Sequence, residues 1–192
     1  MQVAIAKRAL HDSPHCGDEG GCWRGGEKTT LCIADGLGHG IEAEKAARAA
    51  MEFVAQHLWE PLPDVFAGCN VAIRSTRGVA MGIAVIDEDT GTLTYAGIGN
   101  TRAMIVGADI VRFVSNHGIV GGGYKTLLPR TASLMPGDLV VLSTDGLPEI
   151  IDMSGYGTDL RRDVHLLAEK IIRDWHRDTD DAAVLVSRYE AS

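Results

Sequence analysis

Apolar residues change their spacing several times along this chain, and each change marks an element. Val3 to Ala9 alternates loosely between apolar and polar positions, the pattern of a first strand. From His11 to Gly26 the chain is rich in glycine and turn formers and reads as a loop followed by a short strand, with Gly25-Gly26-Glu27-Lys28 as a hairpin turn. Thr29 to Ala34 is a short β-branched, apolar run ending at Asp35-Gly36, which predicts a buried strand with that aspartate at its end. Between Ile41 and Leu58 the period becomes helical. Ala43, Ala46, Ala47, Ala50, Phe53, Val54 and Leu58 share one face, while Glu42, Glu44, Lys45, Arg48 and Glu52 occupy the other. The small alanines predict close packing against a sheet. A second helix is predicted from Pro63 to Ser75, with Pro63 in its first turn and Val65, Cys69, Ala72 and Ile73 on one face.

The period then falls to two or gives way to continuous apolar runs. Val79 to Ile86, Thr92 to Gly97, Ala103 to Val106, Ile110 to Val114 and Leu139 to Ser143 read as a meander of antiparallel strands, separated by turn signals such as Asp89-Thr90-Gly91 and Pro136-Gly137-Asp138. A last helix over Asp159 to Trp175 carries Leu160, Val164, Leu167, Ala168, Ile171, Ile172 and Trp175 on one stripe, and Ala182 to Arg188 closes as a strand. This order predicts the α+β class: two antiparallel sheets packed as a β-sandwich and flanked by helices. No repeat or long linker interrupts it, and 192 residues with 45% hydrophobic content predict a single domain over residues 1–192.

Composition narrows the function. The formal charge is −8 with no run of five or more like charges, which argues against nucleic acid as a partner. No apolar stretch approaches the roughly 18 residues of a membrane helix, and the expectation is a cytoplasmic protein with no membrane association. Cys16, Cys22, Cys32 and Cys69 form no Cys-x-x-Cys pair and are expected to be reduced; with His11 and His15 they match no common zinc module. Gly118 to Gly123 precedes Lys125-Thr126, but Tyr124 breaks the spacing of a phosphate-binding P-loop. A flexible flap is the expected role of that segment.

Four acidic landmarks stand where predicted strands meet loops: Gly17-Asp18, Asp35-Gly36, Asp145-Gly146 and Asp180-Asp181. An Asp-Gly pair at a strand end is ordinarily a turn. Four acidic landmarks closing or opening runs that belong side by side in a sheet allow the carboxylates to converge. Like charges about 4 Å apart repel by roughly 4 kcal/mol at an effective dielectric near 20, so such a cluster either protonates or recruits cations. An all-oxygen ligand set favours Mn²⁺ or Mg²⁺ over zinc. Gly36, lacking a side chain, would let its own carbonyl approach an ion.

The segment Ile33-Ala34-Asp35-Gly36-Leu37-Gly38-His39-Gly40 before an alanine-rich helix resembles the signature of the SpoIIE-type phosphatases, a bacterial branch of the type 2C (PPM) metal-dependent serine/threonine phosphatases. Leu142-Ser143-Thr144-Asp145-Gly146-Leu147 with Glu149, and Asp180-Asp181-Ala182-Ala183-Val184, are similar to its later motifs in the same order, and Gly17-Asp18 to its first. The resemblance implies α-β-β-α layers and a centre of two ions. In it Asp35 bridges, Asp18 and the Gly36 carbonyl serve one ion, and Asp145 and Asp180 the other, with Asp181 in reserve. It also implies in-line attack of an activated water on a phosphomonoester, with Asp35 and Asp145 essential to catalysis. His39, Gly118 and Gly121 are candidates to lie beside substrate, His39 either donating to phosphate or orienting the turn. Asn100 and Arg102, in Gly99-Asn100-Thr101-Arg102, are assigned no role. Chain length and domain content place the resemblance nearest the stand-alone RsbX-type members. That implies phosphorylated STAS-domain proteins of a stressosome, RsbS-like or RsbR-like, as substrates, and negative regulation of stress signalling. A catalytically silent binding module, or a phosphatase of another phosphoprotein or small ester, are the alternatives.

Overall fold

The computed structural model describes residues 1–190. Its strands are β1 (Gln2–Arg8), β2 (Asp18–Gly25), β3 (Lys28–Gly36), β4 (Val79–Asp87), β5 (Thr92–Ile98), β6 (Arg102–Val106), β7 (Ile110–Val114), β8 (Gly118–Ile119), β9 (Gly123–Tyr124), β10 (Arg130–Ser133), β11 (Leu139–Ser143) and β12 (Ala182–Arg188). The helices are α1 (Ile41–Gln56), α2 (Leu62–Ala72), α3 (Thr158–Arg162) and α4 (Val164–Trp175). One sheet runs β10-β5-β4-β3-β2, a second β1-β12-β11-β6-β7, and β8 pairs with β9 as a small hairpin. Every paired register is antiparallel.

The alternation of side chains along each strand explains the layers. On β3, Leu31 and Ile33 face the second sheet, meeting Leu142, Leu185 and Ile105, while Cys32 and Ala34 face α1 and α2. A third apolar layer seals the outer face of the second sheet against α4, through Val141, Val184, Leu167 and Ile171. Both faces of the central strands are therefore buried, which is why they read as continuous apolar runs rather than strict alternations. These layers are the predicted α-β-β-α sandwich. No helix is long and apolar enough to cross a membrane among the described residues.

Several expectations need correction. The stripe from Asp159 to Trp175 is two helices. Asp163 leaves helical geometry (φ −103°, ψ 95°) and caps α4, accepting from the His165 and Leu166 N–H groups at 3.1 Å. The Gly118 to Gly123 segment is not a loose flap: Val120 at the tip of its hairpin is fully buried and exchanges two 2.9 Å backbone bonds with Val79. Strand β10 lies outside the predicted elements, because it is a polar edge strand on β5. Phe53, placed on the packed stripe, is half-buried; its ring stacks on His57 with centroids 3.9 Å apart and covers Gly68 of α2.

Candidate active site

The sandwich brings the predicted aspartates to one end. Asp18 opens β2 directly opposite Asp35 near the end of β3, so the two carboxylates are a cross-strand pair. Asp145 follows β11, and Asp180-Asp181 precede β12, the strand next to it. Two glycines make this convergence possible. A Cβ on Gly36 would collide with the Ala43 carbonyl in the first turn of α1, and one on Gly146 with the Asp181 carbonyl. Gly36 is thus required by the helix that lies on it, a reason additional to any approach of its carbonyl to an ion. The Gly36 N–H donates to the Gly17 carbonyl at 3.0 Å, binding the first two motifs together.

Thr144 ties the sheets. Its hydroxyl donates to Asp18 Oδ2 at 2.6 Å and accepts from the Ala183 N–H at 2.8 Å. Asp181, 2% exposed, accepts from the Leu10 N–H at 2.7 Å and the Gly17 N–H at 2.8 Å, holding the loop before Asp18. Asp180 is only partly buried, and its Oδ1 accepts from the Asp181 N–H at 2.9 Å. The two adjacent aspartates therefore have different duties: one is committed to backbone, the other faces the cluster.

Burial is the largest influence on both Asp18 and Asp35, and the neighbouring carboxylates add to it, so Asp18 is pushed up to about 7 and Asp35 to about 9. Asp180 is raised by burial and then by Asp145 and Asp181, against the Asp181 N–H and His39, which lower it. The ion pairs among the described residues include none of these five carboxylates. As placed, no three His, Cys, Asp or Glu side chains among the described residues form a group tight enough to hold a metal ion. Their oxygens turn instead to Thr144, Asn100, Gly17 and Leu10. The mutual repulsion is the better guide to the chemistry, because carboxylate rotamers adjust more easily than the strand ends that carry them. A partly buried, all-oxygen cluster of acids with no basic partner fits a hard divalent cation.

Asn100, assigned no role from sequence, donates through Nδ2 to Asp145 Oδ2 at 2.6 Å. A short polar side chain just before β6, which pairs with β11, was the available signal. Arg102 donates to the Leu147 carbonyl at 3.2 Å. A cavity of about 560 Å³ opens beside Asp35 and is lined by Asn100, Arg102, Gly118 and Glu149 among others. Gly121 does not line it; its N–H donates to Asn70 Oδ1 at 2.8 Å. His39 is exposed on the loop after Asp35, close enough to Asp180 to influence its titration. All four cysteines are unpaired, and His15 bonds Glu44 at 2.6 Å.

Comparison with known proteins places these features in a family. The model of Stage II sporulation protein E (SpoIIE) matches residues 25–190. The phosphoserine phosphatase RsbX of Bacillus subtilis (strain 168) is 27% identical over 124 residues, which are 63% of this chain and 62% of RsbX, so the match spans less than two thirds of that relative. A solved chain from the bacterial stressosome, described as a modular system adapted to control secondary messenger signaling, superposes with a TM-score of 0.88 at 30% identity, covering 97% of this chain and 98% of its own. RsbX in complex with magnesium shares the fold, with a TM-score of 0.82 at 21% identity over 96% of this chain and 93% of that one.

Proposed function

The chain belongs to the SpoIIE family, and from that premise we propose that it is a metal-dependent phosphatase of protein phosphoserine or phosphothreonine. The observation that carries this reading is the set of aspartates on four neighbouring strand ends, Asp18 and Asp181 buried and Asp35, Asp145 and Asp180 partly so, without a basic partner. Asp18, Asp35, the Gly36 carbonyl, Asp145 and Asp180 are the residues that would hold divalent cations, two Mn²⁺ or Mg²⁺ ions by analogy with the family. Such ions supply an acidified water and neutralise charge on the phosphoryl oxygens.

The remaining work belongs to this chain's own side chains. Asn100 fixes one oxygen of Asp145 and leaves the other free; Thr144 does the same for Asp18. Asp181 holds the Gly17 end of the β1–β2 loop, so the Asp18 carboxylate enters from a fixed strand start. His39, exposed beside Asp180, is positioned to donate to the phosphate or to the departing serine oxygen. The cysteines have no part: Cys16 is raised to about 11 and Cys69 to about 12, chiefly by burial, so neither is a thiolate near neutral pH.

For substrate, the likeness to RsbX and to a stressosome chain supports phosphorylated STAS-domain proteins of the RsbS or RsbR kind, with the enzyme damping a stress signal. Purified protein with Mn²⁺ is expected to release phosphate from p-nitrophenyl phosphate and from a phospho-STAS protein, and Asp35→Asn to reduce both to background. Undiminished activity in chelator would overturn the metal reading. Equal rates on a phospho-STAS protein and an unrelated phosphoprotein would remove the narrower substrate.

A further inference from the structure

The cavity beside Asp35 continues as a groove over the outer face of the second sheet. Strand register sets its floor. Ser143, Arg102 and Val114 form one row across β11, β6 and β7, and Val141, Met104 and Arg112 form the next. Both rows point away from the sandwich interior, because Met104 and Val141 belong to the apolar layer outside this sheet. The segment after Asp145 supplies one wall through Glu149 and Ile151, and the β7–β8 connection supplies His117 on the other. The first row lies next to the carboxylates. The second lies two residues further along the strands, about 6.6 Å away at a rise of roughly 3.3 Å per residue.

Two guanidiniums on one floor are unusual in a chain of net charge −8. The arginine ion pairs among the described residues are those of Arg8, Arg48, Arg162 and Arg173, so neither Arg102 nor Arg112 is neutralised by a neighbour. Arg102 is anchored by its bond to Leu147, whereas Arg112 is exposed beside the apolar Met104 and Val114. A guanidinium over an apolar floor suits a bidentate carboxylate partner. Glu149 on the wall repels that carboxylate and confines it to the floor.

We propose that this groove holds the polypeptide flanking the phosphorylated residue and that Arg112 selects substrates with an Asp or Glu two residues from it. An extended peptide repeats its side-chain direction every two residues, so a phosphoserine that lies over the first row with its phosphate reaching the aspartates sets its second neighbour over the second row. The proposal rests on the phosphatase reading of the adjacent site, and the charge of the preferred substrate is what it adds.

The test is a set of phosphoserine peptides that differ only by Glu or Lys placed two residues before or after the phosphoserine. Wild-type protein with Mn²⁺ is expected to prefer Glu over Lys by about tenfold in kcat/KM, at one of the two positions and mainly through KM. Arg112→Gln abolishes the preference and Arg112→Glu reverses it, each measured as the ratio between peptides within one variant. Binding of the same peptides by fluorescence anisotropy must show the same order. A wild-type preference for Lys, no preference, or a Glu preference retained in both variants would overturn the proposal. Ordered binding without phosphate release from any peptide or from p-nitrophenyl phosphate would support the groove and count against the phosphatase reading instead.

Discussion

At the scale of single residues, the two neighbouring aspartates before β12 show how little chemical identity alone decides. Asp181 accepts two backbone N–H groups, and removing it leaves those of Leu10 and Gly17 without partners. Asp181→Ala is expected to cost about 1–3 kcal/mol in urea denaturation under chelator. Asp180 accepts only the N–H of its own neighbour Asp181, a bond that an Asn side-chain oxygen can keep. Asp180→Asn is expected to leave stability in chelator nearly unchanged and to weaken Mn²⁺ binding in calorimetric titration. The reverse pattern would exchange their roles. The sequence left the two open because they differ only in which way each side chain points at the start of a strand. Asn100 and Thr144 were invisible in their roles for a related reason. Their partners, Asp145 and Asp18, lie 45 and 126 residues away, and no local pattern encodes such a bond.

Helices and strands were more legible than the contacts between them. Apolar periodicity marks α1, β3 and β12 clearly, because one face or both must be dry. It hides the break between α3 and α4, since Leu160 and Val164 keep facing the same layer while Asp163 interrupts the backbone between them. It hides β10 because a polar edge strand buries little. The Asp35-Gly36 pair read as a strand end with candidate ligands, but not as the place where α1 touches down. That contact makes a prediction about packing. Gly36→Ala forces the first turn of α1 away from β3 and is expected to cost about 1–3 kcal/mol by urea denaturation, as overpacked sites do. Gly155→Ala, where an added Cβ meets nothing within 4 Å, is the matched control and should change stability by less than about 0.5 kcal/mol.

For the whole molecule, the carboxylate cluster couples stability to pH with a definite sign. Asp18 and Asp35 have ordinary values of 3.8 and are pushed up to about 7 and about 9 in the fold, so the folded chain keeps protons that the unfolded chain has released. Their contribution to stability is complete below the unfolded value and is lost as pH rises through the two folded ones. Calorimetric melting in chelator is therefore expected to show Tm falling between about pH 4 and about pH 9. The increment added by Mn²⁺ should grow over the same range, because binding displaces those protons. A Tm in chelator that is flat or rises across this window would contradict the assignment. Strand β7 carries a different consequence at this scale. It is the open edge of its sheet, and in Ile110-Val111-Arg112-Phe113-Val114 the arginine is the sole charge. Without it, the exposed side chains of this edge, Ile110, Val111 and Val114, would all be β-branched and apolar beside unpaired backbone, the makings of a template for intermolecular β-sheet. The side chain that reads a substrate thus also guards the protein against aggregation, and Arg112→Ala should turn turbid at concentrations where Arg112→Glu stays clear.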